Sequence, residues 1–450
     1  MFAASVKSAE ISSDNKLIKA ACPFTVDNES GKLTADIGYD NYVDVKTLQN
    51  CFVNVEVENG EYAFDGALNN DGSLNLLGGA ALEVTDKNGL KRRYSIEVNR
   101  AVGDIPIVNL YLTDGSDVST IDRDVYSDMA FYIDSSGADG FESTEFLSGG
   151  IHGRGHSTWQ WQKKPYRLKL DEKASLLGFP KNKDYILLAN YSDKSLIRNI
   201  VAYDMGRQLD SFVWTPTQYS VDLFVNGEYR GVYALGEQRE IAKAKINLYE
   251  SPTEPDRGYL METYGADDES LVNGKDYEPY IDAASFADWI IMQELTCNLD
   301  CCYRRSCYFT KDKGGKIKMG PIWDFDLAFG NFSMDPGYND WFTIGEDNED
   351  AYITVNWCNY LMNDQKFREK LRGRWFEVRD KLVQACDESV DKNAALLARS
   401  QAENYKVWDT MGYKVGYESW QCANLSTYST CTDFIKNFVH TRAAWIDENI

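Results

Sequence analysis

Two acidic residues placed two positions apart are the most chemically suggestive feature of the sequence. Asp324 and Asp326 lie among apolar neighbours in residues 320–331, at the end of a predicted strand. In extended backbone, residues at i and i+2 point to one side. Two carboxylates on one side of an apolar site repel each other unless a cation lies between them. A hard divalent ion such as Mg²⁺ is one solution, and a structural pair satisfied by backbone amides is the alternative.

A glycine-rich stretch followed by a basic strand is the second feature. Residues 149–159 read GGIHGRGHSTW, and residues 163–170 read KKPYRLKL. Glycines let backbone N–H groups approach a phosphate, and Arg154 can clamp one bidentately. Alternation then puts Arg167 and Lys169 on one face of the strand. The segment predicts a polyphosphate site, although a turn before a solvated strand face explains a lone glycine-rich loop equally well.

A third carboxylate, Asp300, ends an otherwise apolar predicted helix. It either caps a turn or acts as a base aligned with Asp324. Acyl-transfer chemistry is disfavoured, because no Gly-x-Ser-x-Gly elbow exists and the one plausible base, His156, lies beside Ser157 rather than facing it. Glycoside hydrolysis by two carboxylates stays open, but it leaves the basic strand unexplained.

Composition narrows the classes of partner. The 450 residues include 47 Lys plus Arg and 70 Asp plus Glu, a net charge of −23, which argues against nucleic acid as a partner. Three histidines make a His-rich metal site improbable. No apolar run is long enough for an integral membrane segment. The ten cysteines favour buried or incidental thiols over disulfides or a metal site.

The elements that must position these residues divide into two domains. Short alternating segments at 54–58 and 94–98, separated by turn dipeptides such as Asn88-Gly89, predict a small all-β sandwich over residues 1–102. The terminal hairpin is typical of immunoglobulin-like modules. Residues 103–450 then form an α+β domain that opens with a strand within 105–112.

Within the second domain, the patterns predict a strand at 166–170 and a hairpin turning at Asn226-Gly227. A helix over 194–209, capped by Asp193, buries an apolar stripe from which Arg198 departs. Further helices are predicted at 282–298, 367–382 and 433–446.

Taken together, these motifs resemble the CotH family of atypical, secretory-type protein kinases named for spore-coat proteins. The resemblance does not include the N-terminal module. It rests on six segments, which are Ile105-Pro106, GRGHSTW at 153–159, KKPYRLKL at 163–170, LLANYSDKSLIRN at 187–199, Asn226-Gly227 and GPIWDFD at 320–326. It implies a degenerate protein-kinase-like domain of two lobes, one β-rich and one helical. ATP with Mg²⁺ or Mn²⁺ would bind between the lobes, and Ser or Thr of an unidentified protein substrate would be phosphorylated.

The resemblance also implies roles for single residues. Asp324 would coordinate the metal with Asp326 assisting, and Asp300 would accept or orient the substrate hydroxyl. The implied nucleotide-binding residues are Arg154, His156, Lys169, Arg198 and Glu237. Among these, Glu237 would pair with Lys169 or bind the metal, and Arg198 would face the cleft.

One departure from the family pattern bears on catalysis. Family members often carry Asn five residues after the proposed catalytic Asp, where this sequence has Arg305, and a cation cannot ligate Mg²⁺. Another residue such as Asn298 or Asp326 would then fill the role, the register would slip across the cysteine run, or the chain would be a pseudokinase that binds nucleotide without transferring phosphate. His156 also replaces the Asn that is frequent after Gly-Arg-Gly.

A non-catalytic surface or adhesion scaffold is therefore the alternative function. In that reading the N-terminal module binds a glycan or a protein. The family resemblance and the immunoglobulin-like module imply an extracytoplasmic protein, secreted or surface-anchored. The first residues lack the pattern of an export signal, so we expect that the signal segment is missing from this sequence.

Overall fold

The computed structural model describes residues 4–15, 21–263, 277–303, 305–334, 337–344 and 356–450. It combines β-sheets with helices, as the α+β prediction requires. Strands dominate the first half of the chain and helices dominate the second.

The N-terminal part forms two sheets around one apolar core. Its elements are β1 Ser5–Ile11, β2 Cys22–Pro23, β3 Thr25–Asp27, β4 Lys32–Ile37, α1 Val45–Gln49, β5 Val53–Glu58, β6 Gly60–Asp65, β7 Ala81–Asp86 and β8 Lys91–Arg100. One sheet has the order β2-β1-β5 and the other the order β3-β4-β8-β7-β6. Both contribute to the core, for example through Val6, Leu33 and Leu82. The immunoglobulin-like identity of this module stays a prediction.

A closed β-barrel follows. Its strands are β9 Ile107–Leu112, β10 Ser127–Asp134, β11 Leu147–Gly153, β12 Tyr166–Ala174, β13 Asn182–Leu188, β14 Gln218–Val225 and β15 Glu228–Glu237. They close in the order β10-β11-β12-β13-β15-β14-β9, with β9 and β14 parallel. Asn226 and Gly227 both have positive φ, 51° and 78°, as a two-residue hairpin turn requires. The predicted hairpin is confirmed.

The remaining described residues contain most of the helices. They form α2 Arg198–Gly206, α3 Ala283–Thr296, α4 Trp357–Leu361, α5 Gln365–Leu396, α6 Ser400–Val407, α7 Trp420–Ala423 and α8 Tyr428–Asn449, with a small sheet of β16 Tyr259–Glu262, β17 Tyr308–Lys311 and β18 Ile317–Met319. Helix α3 is buried on nearly every side and packs against α5 and α8. The helices predicted at 282–298, 367–382 and 433–446 are confirmed, and α5 and α8 extend beyond the predicted ranges.

Two local predictions were wrong. Helix α2 begins at Arg198 instead of 194, because the Asp193 carboxylate accepts the N–H groups of Ser195 (3.0 Å) and Arg198 (2.9 Å) and holds the intervening residues in a turn. Residues 320–326 do not form the end of a strand. Asp324 has a left-handed backbone, with φ at +65°, so alternation in extended chain does not describe the spacing of the two carboxylates.

Buried polar contacts join the N-terminal module to the barrel and to α6. The Asp222 carboxylate in β14 accepts hydrogen bonds from the hydroxyls of Tyr39 (2.8 Å), Tyr229 (2.7 Å) and Ser400 (2.8 Å). Burial raises the pKa of Asp222 to about 6. Phe224 and Tyr229 also belong to the apolar core of the module. The core is thus continuous across the predicted boundary near residue 103.

Two expectations from composition concern the cysteines and membrane-spanning segments. All ten cysteines are buried free thiols, so the preference for unpaired thiols is confirmed. Among the described helices, none is both long and apolar enough to cross a bilayer.

Candidate functional site

A cleft of about 380 Å³ lies between loops of the barrel and the helical part. Both signs of charge line it, and the residues that carry them are Arg123, Arg154, Arg239, Arg305, Glu262, Asp300, Asp324 and Asp326. Four arginines therefore meet at one place in a chain whose net charge is −23. A local cluster of positive charge in an acidic protein can attract an anionic ligand.

Helix α2 holds the segment that carries the paired carboxylates. The N–H of Phe325 donates to Oδ1 of Asn199 (2.7 Å), and the N–H of Asp324 donates to the hydroxyl of Tyr203 (3.3 Å). The hydroxyl of Ser306 donates to Oδ2 of Asp324 at 3.0 Å. These bonds fix both the left-handed backbone of Asp324 and the direction of its carboxylate.

The surroundings of Asp326 disfavour the ionised form of its carboxyl group. Burial raises its pKa well above the ordinary value, and the charges of Asp324 and Asp300 raise it further. The three carboxylates therefore repel one another across the cleft. A bound cation would relieve this repulsion and return Asp326 to the ionised form.

Arg154 interacts electrostatically with these carboxylates. Burial lowers the pKa of its guanidinium, and Asp324 is the strongest opposing influence, so the group stays charged. Across the described part of the chain its side chain makes no hydrogen bond or ion pair. Its own N–H donates to the carbonyl of Pro165 at 3.1 Å. The guanidinium is thus available to a ligand.

The loop that carries Arg154 is anchored from two sides. The guanidinium of Arg123 donates to the carbonyl of Gly155 (3.1 Å). Lys163, at the other end of the loop, donates to the carbonyl of Val232 in β15 and to Oδ1 of Asn404 in α6 (2.9 Å). Burial lowers the pKa of Lys163 to about 7. The position of the loop therefore depends on β15 and on α6.

Arg239 is a cleft residue that the sequence did not single out. Its guanidinium lies over the rings of Tyr308 (4.6 Å) and Trp323 (5.0 Å) and 3.6 Å from Glu262. Stacking on two aromatic faces restricts the side chain while leaving donors for a phosphate. Its place in the chain is a signal, because Arg239 lies two residues after Glu237, which is itself a predicted site residue.

The structure brings together five of the eight predicted site residues. Arg154, His156, Asp300, Asp324 and Asp326 all line the cleft. His156 is exposed there, and Asp300 lies in a short 3-10 turn, Leu299–Cys301, that follows α3. The other three residues lie elsewhere.

Lys169 and Glu237 do not form the expected ion pair. Lys169 is exposed on β12, opposite Gly150 and Asp184 in the neighbouring strands. The lysine beside the buried Glu237 is Lys245, whose Nζ lies 4.0 Å from Oε1. Burial raises the pKa of Glu237. The predicted pair of Lys169 with Glu237 was therefore wrong. Lys245 lies in the loop after β15, and the alternation of side chains along a strand does not predict where a loop residue lies.

Arg198 does not face the cleft. Its side chain is 1% exposed and pairs with Asp193. It also donates to the carbonyl of Ala328 (3.1 Å) and to Sγ of Cys422 (3.4 Å). Its departure from the apolar stripe of α2 reflects this buried polar contact and not a ligand-facing position.

The donor set fits a magnesium ion held jointly with a substrate. Within the described ranges, no three His, Cys, Asp or Glu side chains form a cage around one point. Magnesium is usually bound by one or two carboxylates together with water and substrate phosphates. Asp324 and Asp326 provide that minimal set of hard oxygen ligands.

Asn298, a candidate for a further metal ligand, and Arg305, which stands where the family often has Asn, differ in position. Asn298 is fully buried, and neither its Oδ1 nor its Nδ2 has a hydrogen-bond partner among the described residues. It is not among the residues that line the cleft, whereas the exposed Arg305 is. A guanidinium therefore stands at the cleft where an amide ligand was expected.

Comparison with known families gives one match. Residues 151–275 and 262–446 match the family described as CotH kinase protein. No curated protein matches the chain. The match begins within β11, so that β9 and β10 of the barrel precede it. Since the matched residues make up more than half of the chain, the protein belongs to the CotH kinase family.

Proposed function

We propose that the cleft binds ATP together with Mg²⁺ or Mn²⁺ and transfers the γ-phosphate to a Ser or Thr hydroxyl of a protein partner. One observation carries the proposal, namely that Arg154 and Arg239 share a single cleft with Asp300, Asp324 and Asp326. Phosphoryl transfer needs little covalent chemistry from the protein, so catalysis is mainly charge neutralisation and positioning. This arrangement supplies groups for both.

The roles follow from charge and position. Asp324 and Asp326 would hold the metal ion, which when bound neutralises charge on the phosphate oxygens. Arg154 and Arg239 would bind the phosphates as bidentate donors. Asp300 would accept the proton of the attacking hydroxyl, whose oxygen bonds to the γ-phosphorus while the bond to the bridging oxygen breaks and ADP leaves.

Three further expectations belong to the same proposal. The barrel and the helical part would act as the two lobes of a degenerate kinase-like domain. The N-terminal module would be immunoglobulin-like and bind a surface glycan or protein. The family membership supports an extracytoplasmic location, secreted or surface-anchored.

Transfer of labelled γ-phosphate from ATP to the protein itself or to a generic substrate tests the activity. We expect Asp324→Ala to abolish metal-dependent nucleotide binding, and Asp300→Ala to retain binding but lose transfer. Asp380→Ala, on α5 with a side chain that is 91% exposed, is the matched control. Wild-type protein that transfers no label with Mg²⁺ or Mn²⁺ contradicts the proposal. If both cleft variants react at the wild-type rate, the roles are assigned wrongly.

The position of Arg305 favours a second candidate, nucleotide binding without transfer. A cation at the cleft can neutralise phosphate charge, but it cannot act as a further ligand of the metal ion. In that case Mg-ATP raises the melting temperature by several degrees while no label is transferred. Arg305→Asn should then create or increase transfer. No thermal response to Mg-ATP would instead indicate a scaffold.

A further inference from the structure

Helix α6 contacts the N-terminal module at its first residue. The hydroxyl of Ser400 lies 3.1 Å from that of Tyr39, and both hydroxyls donate to Oδ2 of Asp222 at 2.8 Å. The Tyr39 hydroxyl also accepts the N–H of Gly103 at 2.7 Å. A Cβ atom at Gly103 would clash with Oγ of Ser400 and would lie 2.7 Å from the Tyr39 hydroxyl oxygen. The module and α6 therefore approach each other closely at a point where only glycine fits.

Helix α6 contacts the cleft loop, residues 154–165, one turn further on. Ser400 and Asn404 are four residues apart, so they lie on one face of the helix, and both are buried. Oδ1 of Asn404 accepts the N–H of Val232 (3.0 Å) and the ammonium of Lys163 (2.9 Å). One face of α6 thus contacts the module at one end and the cleft loop at the other.

Lys163 is buried with neutral groups as its acceptors. The residue is 1% exposed, and its ammonium donates to the carbonyl of Val232 and to the amide of Asn404. Across the described part of the chain, no Asp or Glu oxygen lies within ion-pair distance of it. Burying an ammonium without a paired carboxylate costs free energy. Stabilisation of the fold alone therefore does not account for a lysine at this position.

Lys163 fixes the chain beside Arg154. Pro165, two residues after Lys163, accepts the N–H of Arg154 at its carbonyl (3.1 Å). Pro165 and Arg154 both line the cleft. Groups that bind a ligand must be held within about 0.5 Å of the productive geometry. A displacement of Lys163 would therefore move the guanidinium that binds the phosphates under the proposed function.

We propose that Lys163 and Tyr39 are positioning residues of the phosphate site, and that α6 connects the N-terminal module to this site. The inference rests on the proposed function. At one end of α6, Tyr39 contacts Ser400. At the other end, Asn404 holds Lys163. The module is then a working part of the nucleotide site, although the family match begins only at residue 151.

A substitution at the cleft end tests the role of Lys163 on the full chain. Lys163→Met keeps an extended side chain and removes the charge. We expect it to weaken Mg-ATP binding about tenfold by calorimetry. The melting temperature should fall little, because removal of a buried charge offsets the loss of two hydrogen bonds. Lys173→Met makes the same change at an exposed lysine of β12 and should alter neither property.

A substitution at the module end tests the connection through α6. Tyr39→Phe removes only the hydroxyl, and Tyr39 does not line the cleft. We expect affinity for Mg-ATP to fall about threefold or more. Tyr62→Phe, at a 43% exposed residue of β6, is the control in the same module and should bind ATP as wild type does. In the double variant of Tyr39→Phe with Lys163→Met, the two losses should not multiply, because both act through one loop.

The outcomes separate this inference from the proposed function. Wild-type protein that binds no Mg-ATP overturns both. Unchanged affinity in Lys163→Met or in Tyr39→Phe overturns the inference and leaves the proposed function standing. Losses that multiply in the double variant show independent effects and overturn the connection through α6. If Lys163→Met does not fold, the affinity of Tyr39→Phe against that of Tyr62→Phe decides.

Discussion

Two arginines with opposite surroundings allow a sharp test of the structure. Arg198 is 1% exposed, and its partner Asp193 has a fully buried side chain. Arg154 lines the cleft and has no side-chain partner among the described residues. Methionine at either position keeps an extended apolar side chain and removes the charge. The two substitutions should therefore affect different properties.

Arg198→Met should lower stability. Breaking a buried ion pair by removing one partner costs about 3–5 kcal/mol, because the remaining charge is buried without compensation. The loss is not complete, since Asp193 still accepts hydrogen bonds from Ser195. At about 2 °C per kcal/mol for a large chain, the melting temperature should fall by roughly 6–10 °C. Arg154→Met should lower it by no more than about 2 °C.

The assay measures the melting temperature and, at a temperature where each variant is folded, the affinity for Mg-ATP. We expect Arg154→Met to weaken ATP binding about tenfold or more, while Arg198→Met leaves binding nearly unchanged. Adding Asp193→Asn to Arg198→Met should recover part of the lost stability. An Arg198→Met protein that melts like wild type yet loses ATP binding would refute the buried structural role.

Four shorter predictions address other parts of the molecule. Asp222→Asn should flatten the pH dependence of the melting temperature between about pH 4 and 6. Because the pKa of Asp222 is raised from 3.8 to about 6 in the folded protein, its ionisation destabilises the native state by about 3 kcal/mol above pH 6 and not at all below pH 4. Arg442→Met breaks a buried pair with Glu294 (2.8 Å) and should cost about 3–5 kcal/mol by thermal melting, part of which Glu294→Gln recovers. Arg239→Ala should weaken ATP binding about tenfold, whereas Lys169→Ala should leave it unchanged. If titrations with ATP show equal losses of affinity for both variants, the phosphates lie on the barrel exterior. The ten thiols should resist alkylation in the native protein and react after denaturation, as read by mass spectrometry, whereas native labelling would contradict their burial.

Local patterns were sufficient for the hairpin of β14 and β15 and for helix α3. The turn at Asn226-Gly227 follows from two residues that tolerate positive φ, and the structure has it there. Helix α3 lies within two residues of its predicted ends and has Asp282 as its N-cap. Both features depend on interactions between residues that are close in the chain.

The site was predicted less completely, because its geometry depends on residues that are distant in the chain. Asp324 and Arg154 were identified by residue type and spacing, and both line the cleft. The left-handed backbone of Asp324 depends on hydrogen bonds from α2. Lys245 takes the position beside Glu237 that the family resemblance had implied for Lys169. Such partners become visible only when the chain is folded.

Closure of the barrel bears on which fragments of this chain can be autonomous folding units. A fragment that starts at residue 151, where the family match begins, lacks β9 and β10, which connect β14 to β11. The open sheet would then present β11 and β14 as free edges, and unpaired edge strands add to other chains. A fragment that starts near 105 keeps the barrel closed but uncovers Phe224 and Tyr229. Soluble expression should therefore require the N-terminal module.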